Sequence, residues 1–339
     1  MKSIYTFLLS LLFVSCHNSP DFVKAPLRLS AIDSMQTREE IEQLIGATDT
    51  LYKKFKLQRI QDFTTDFFNN EAIKKVAQRE KIDFDYAKAD FDNNGLTDLL
   101  VIGTNKTVTL ANNQLNSKVE LSKEYNTLVL MNFGKANYQL IDISEDKFYF
   151  IVPQIMLVND QPFLKINKPI IINAEGKLLR AARSLQLTYK FGNFIEYNAQ
   201  PKTYAIEKIT FQSQGCPGNC PVYTIEITGD RKAQFSAQSN NYSKEAGEGT
   251  YLEGAFQGTI DENAYHQLNS LLCYLDFPTL KDNYRLVTNH HPKCTLSITY
   301  TNGKVKTIKD FGRVGTYGLK RVYALIDELR FNQKWNKQG

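Results

Sequence analysis

The stretch ADFDNNGLTDLLVIG sets Asp90, Asp92 and Asn94 on alternate positions, follows them with Gly95, and returns a carboxylate at Asp98 before the apolar run Leu99 to Ile102. Hard oxygen ligands at that spacing in a tight loop suit calcium, which takes roughly six to eight oxygens in a tolerant geometry. The backbone carbonyl of Leu96 would complete the shell. An EF-hand loop needs Glu at its twelfth position, where this chain has Val101, so that reading fails. The competing account is a metal-free turn in which Asp and Asn side chains bond their own backbone. A calcium ion held here would have a structural role.

The second chemically suggestive stretch is QGCPGNCPVY, with Cys216 and Cys220 in a turn stiffened by two prolines. Three chemistries compete for it. Zinc would need Cys216, Cys220 and Cys294 plus His290, His291 or Cys273, but only one compact ligand pair is present. Thiol exchange usually uses C-x-x-C at the start of a helix; here the spacing is wider and a strand pattern follows. A structural disulfide is the third.

The compartment weighs on that choice. The chain opens MKSIYTFLLSLLFVSC, with a Lys near the start, an apolar run from Ile4 to Val14 and Ser15 just before Cys16. The run is too short to span a bilayer and has the order of a secretory signal. Ending at a cysteine after a small residue, it resembles a bacterial lipoprotein signal, which implies cleavage before Cys16, acylation of that thiol and attachment to the envelope, read as the outer membrane. Without Cys16 the cysteine count is four, an even number in a compartment where disulfides persist. The simplest pairing is Cys216 with Cys220 and Cys273 with Cys294.

The elements that must position these residues follow from periodicity. Residues 1–16 read as the signal and 17–35 as a tether. Residues 36–200 read as a helical and antiparallel β region carrying the acidic loop, and 201–339 as a compact α+β domain. Thr37 and Glu40 form a capping box before Ile41, Leu44 and Ile45, and a second helix is predicted from Asn70 to Glu80. Short β-branched and aromatic runs then alternate with turn residues from Thr127 to Tyr197. The last region predicts four strands, a helix capped by Thr259 and Glu262, a hairpin turning at Asn302 and Gly303 with Tyr300 opposite Val305, and a helix over 316–334. The whole is therefore α+β.

Two family resemblances add to this. The acidic loop resembles the D-x-D-x-[DN]-G-x-x-D calcium loop of integrin-type, FG-GAP-like repeats. A propeller of such repeats needs several copies, and INAEGKL at 172–178 lacks the carboxylates of a second one. The C-terminal region resembles an uncharacterised domain family of bacterial lipoproteins and secreted proteins, through Cys216, Cys220, Pro221 and Tyr223 as C-x-x-x-C-P-x-Y, Gly229 and Asp230 as a turn, and Phe277 and Leu280 after a helix. That resemblance implies a shape without an assigned activity.

A net charge of +5 is spread among interspersed acids and bases, which reads as a solvated surface and not a nucleic-acid patch. Gly312, Arg313, Gly315 and Gly318 precede the last helix with a spacing that fits neither a P-loop nor a dinucleotide fingerprint, and read as the turn that opens that helix. No G-x-S-x-G or H-E-x-x-H motif occurs. The expected function is non-catalytic binding or scaffolding in the envelope, through protein or glycan contacts. The rival is an envelope enzyme, either a thiol oxidoreductase at Cys216 and Cys220 or a hydrolase.

Overall fold

The computed structural model describes residues 26, 28–63, 70–112, 117–144, 150–158, 160–172, 178–216, 218–242, 251–286 and 291–339. The chain divides into two compact units, with the boundary between Tyr197 and Asn198.

The first unit opens with a short helix α1 (Ala31–Ser34) and the helix α2 (Arg38–Thr48). Ile32 is fully buried and Ser30 and Asp33 form a capping box, so the packed chain begins inside the segment expected to be tether. Thr37 caps α2 with Glu40, as its sequence indicates. Strand β1 (Lys56–Leu57), helix α3 (Asn70–Arg79), β2 (Tyr86–Ala89), the long pair β3 (Asp98–Asn112) and β4 (Ser117–Asn132), and β5 (Tyr138–Asp142) follow. They form a five-stranded antiparallel sheet in the order β1-β3-β4-β5, with β2 also on β3. A second sheet, β11-β10-β7-β6, joins β6 (Val152–Val158), β7 (Gln161–Lys168), β10 (Arg183–Lys190) and β11 (Asn193–Glu196), and the pair β8 (Ile171–Ile172) and β9 (Leu178–Arg180) stands apart.

Leu99 to Ile102 is continuously apolar because both faces of β3 are covered. Leu99 and Val101 pack with Ile32, Ile41, Ile45 and Phe55, while Ile102 packs with Ile60, Ile73, Tyr125 and Val152. Burying such side chains contributes roughly 2 kcal/mol each, which anchors the residue just before them, Asp98.

The second unit is one eight-stranded sheet, ordered β16-β18-β17-β12-β13-β14-β15-β19, with two helices. Its elements are β12 (Ile206–Gln214), β13 (Val222–Thr228), β14 (Lys232–Ser239), β15 (Gly254–Thr259), α4 (Glu262–Tyr274), β16 (Asn283–Arg285), β17 (Lys293–Tyr300), β18 (Lys304–Phe311), α5 (Tyr317–Asn332) and β19 (Trp335–Lys337). The α+β class and the succession of four strands, helix, hairpin and helix agree with the sequence reading. The short edge strands β16 and β19 carry too little pattern to be read there. Along β12, Ile209, Phe211 and Ser213 are buried while Gln212 and Gln214 are exposed, so one face meets the helices.

Two local expectations are corrected. The cap of α4 is Asp261, whose carboxylate accepts the N–H groups of Asn263 and Ala264, while Thr259 ends β15. An Asp acceptor next to the helix satisfies those donors directly. The β17–β18 hairpin turns over three residues, Thr301, Asn302 and Gly303, all with positive φ, so Tyr300 faces Lys304 and Val305 faces Thr299. One extra residue in the turn moves the register by one.

Candidate functional site

The acidic loop lies between β2 and β3 and is folded by its own side chains. Asp90 accepts the N–H groups of Asn94 at 3.0 Å and Gly95 at 2.9 Å, and Leu96 N–H donates to Asn94 Oδ1 at 2.7 Å. Asn93 and Gly95 adopt positive φ, which gives the turn its sharpness. The loop is gripped from both sides. Arg28 N–H donates to Gly95 O at 2.7 Å, and Asn132 at the end of β4 donates its N–H to Asp98 Oδ1 at 2.7 Å and its amide to Thr97 O at 3.2 Å.

The carboxylates of Asp90, Asp92 and Asp98 converge, each offering an oxygen within 4.8 Å of the others. Asp98 is fully buried. Burial pushes its carboxyl up to about 8, helped by the charges of Asp92 and Asp90 and opposed by the N–H groups of Asn132 and Phe91. Burial, with Asp90 beside it, also raises Asp92. Three carboxylates so placed are under-compensated, and a cation would relieve them. Asn93 Oδ1 in the same loop is buried without a hydrogen-bond partner among the described residues. The donor set therefore suits a hard cation held by Asp90, Asp92 and Asp98. Asn94 differs from its expected role: its amide nitrogen faces Asp92 Oδ2 at 3.0 Å, so it would ligate only with the amide turned. Leu96 is buried directly after the turn.

In the second unit, Cys216 and Cys220 form a disulfide across the β12–β13 turn, with Cα atoms 5.4 Å apart. The bridge takes both thiolates away from any metal. The expected Cys273–Cys294 bridge is absent, and both are buried thiols. Cys273 Sγ lies 3.9 Å from Tyr204 O, ahead of β12, whereas Cys294 pairs with Ser213 near the far end of that strand. Nine residues of extended chain span about 30 Å, far beyond a disulfide's reach. Burial pushes the Cys294 thiol up to about 12. Cys16 and His290 lie outside the described residues.

The motif residue Tyr223 leads into a buried clasp that sequence reasoning missed. Its side chain is fully buried and its hydroxyl donates to Asp327 on α5. Asp327 also accepts from Arg313 Nη1 at 2.5 Å, and Arg313 Nη2 reaches Ser213 Oγ at 3.4 Å. Burial disfavours the Arg313 charge, but Asp327 outweighs it and holds the guanidinium protonated. Arg330 lies 4.6 Å from the Tyr223 ring centre and donates to Asn241 Oδ1 at 3.1 Å. Beside them the buried Asp310 accepts the N–H groups of Val314 at 2.9 Å and Gly315 at 2.8 Å, and the Tyr323 hydroxyl at 3.3 Å. The glycine-bearing turn before α5 thus wraps a carboxyl group supplied by the chain itself. The one available signal was a lone Asp327 within the apolar stripe of α5.

The model of a family described as Domain of unknown function (DUF6438) matches residues 207–330, a span that contains the disulfide and every residue of the clasp. No curated protein and no solved structure matches the chain.

Proposed function

We propose that the chain is a lipid-anchored envelope protein, acylated at Cys16 and residing at the outer membrane, with a non-catalytic binding or scaffolding role. In this reading a calcium ion held by Asp90, Asp92 and Asp98 stiffens the first unit, with the Leu96 carbonyl and a turned Asn94 amide as further oxygens. The observation that carries the binding role is where the chemistry of the motif is spent: Cys216 is bonded to Cys220, and the Tyr223 hydroxyl is bonded to an Asp327 already paired with Arg313. Those groups hold two strands and a helix together. Among the described residues no helix is long and apolar enough to cross a membrane, and the proposal needs none, since acyl chains supply the attachment.

Mass spectrometry of the protein recovered from bacterial membranes, before and after mild reductant, tests this. The expected result is acylation at Cys16 and a Cys216–Cys220 bridge that survives mild reductant. An unmodified Cys16 in a water-soluble mature chain would overturn the anchor. A bridge that opens readily and passes its oxidation to a dithiol would overturn the non-catalytic role in favour of thiol exchange.

A further inference from the structure

The face of the eight-stranded sheet turned away from α4 and α5 is lined by short polar side chains. Gln212 pairs with Thr295 and Thr224, and Thr210 with Ser297 and with Glu226, whose carboxylate is taken by Lys208, so hydroxyls and amides alternate with one neutralised acid across neighbouring strands. At one corner this face becomes a cleft of about 790 Å³ whose lining includes Asn283, Arg285, Lys293, Thr295, Lys309 and Phe311. Register explains the gathering: Lys293 and Arg285 both flank Phe311, and Lys309 lies between Thr295 and Asn283. Lys293 Nζ sits 5.3 Å and the Arg285 guanidinium 5.8 Å from the centre of the half-buried Phe311 ring.

The charge at this corner is one-sided. Arg285, Lys293 and Lys309 are exposed and have no carboxylate partner among the described residues. The nearby acids are engaged: Asp282 with Lys306 at 2.5 Å, Glu226 with Lys208 at 2.6 Å, and Asp310, itself part of the cleft lining, with Val314, Gly315 and Tyr323. Clefts lined by one sign of charge concentrate ligands of the other.

We infer that this corner binds an acidic oligosaccharide, a chain of hydroxyl-rich sugars bearing carboxylates. The three cations meet the carboxylates, the amides of Asn283 and Gln214 and the hydroxyl of Thr295 meet sugar hydroxyls, and the polar rows give an extended chain somewhere to lie. An anionic bilayer fits less well, since the patch is concave and its aromatic ring is set between cations without protruding to insert. The inference rests on the binding role proposed above and names its ligand.

The test is calorimetric titration of the full chain with tetragalacturonate, with neutral cellotetraose and with phosphatidylglycerol vesicles. The acidic tetrasaccharide is expected to bind, to weaken as salt rises from about 20 mM to 0.3 M, and to lose about ten-fold or more in affinity in the Lys293→Gln/Lys309→Gln double variant. Lys304→Gln, which removes an exposed charge at the hairpin tip, is expected to leave affinity unchanged. Thermal unfolding of each variant confirms the fold. Equal affinity in the double variant, equal binding of cellotetraose, or binding of vesicles alone would overturn the inference, as would no binding of tetragalacturonate. Shortening of the bound saccharide would leave the site standing and defeat the non-catalytic reading instead.

Discussion

Asp98 in the first unit and Asp327 in the second are both acids at the centre of a polar cluster, and their surroundings differ in sign. Asp98 shares its site with Asp90 and Asp92, and the groups that donate to the three carboxyls are backbone N–H groups and a loop amide. Asp327 receives an arginine and a phenol, and a second arginine donates to its backbone. The first cluster is assembled almost wholly by nine consecutive residues; the second draws on positions as far apart as Ser213 and Arg330. A cluster of acids gathered by a short loop is one that the proposed calcium ion would relieve, whereas a cluster whose charges are balanced from within serves the fold that gathers it.

The comparison breaks most readily at Asp327. Asp327→Ala strands Arg313 and the Tyr223 hydroxyl and is expected to cost about 3 kcal/mol in denaturant unfolding of the second unit. A loss below about 1 kcal/mol would mean the clasp is not what secures α5 to the sheet. The disulfide sharpens the contrast between local and long-range devices. Cys216→Ala/Cys220→Ala opens a very short loop and is expected to cost about 2 kcal/mol at most, less than loss of the clasp. Gly303→Ala isolates a purely local device, since Gly303 has φ 75° and open space around it. It is expected to cost about 1 kcal/mol.

With burial pushing the Cys294 thiol up to about 12, only about one molecule in ten thousand carries the thiolate at pH 8. Cys294 for that reason, and Cys273 because it is buried, are expected to resist alkylation in the native chain and both to react after denaturation without reductant. Reaction of neither after denaturation would restore the Cys273–Cys294 bridge.

The same contrast explains what the sequence disclosed. The acidic loop was legible because all its parts lie within one turn, and so was the cap at Thr37, where Glu40 sits three residues on. The strand and helix succession followed from alternation and helical spacing. The clasp was illegible because Ser213, Tyr223, Arg313 and Asp327 meet only through sheet register and helix docking. The cleft was hidden for the same reason, with Arg285, Lys293 and Lys309 brought to one corner by the parallel β16–β18 pairing. Cysteine count suggested a second bridge, and nothing in the count could reveal that Cys273 and Cys294 sit toward opposite ends of β12.

Calcium titration of the chelator-treated full chain, followed by calorimetry, bears most directly on the difference between the two clusters. The expected result is one calcium per chain with a Kd on the order of 10⁻⁴ M or tighter, lost in Asp98→Asn, weakened in Asp92→Asn and unchanged in Asp327→Ala if that variant stays folded. No calcium uptake by the wild-type chain, or equal uptake by Asp92→Asn and Asp98→Asn, would contradict it and leave the loop as a turn that bonds only itself.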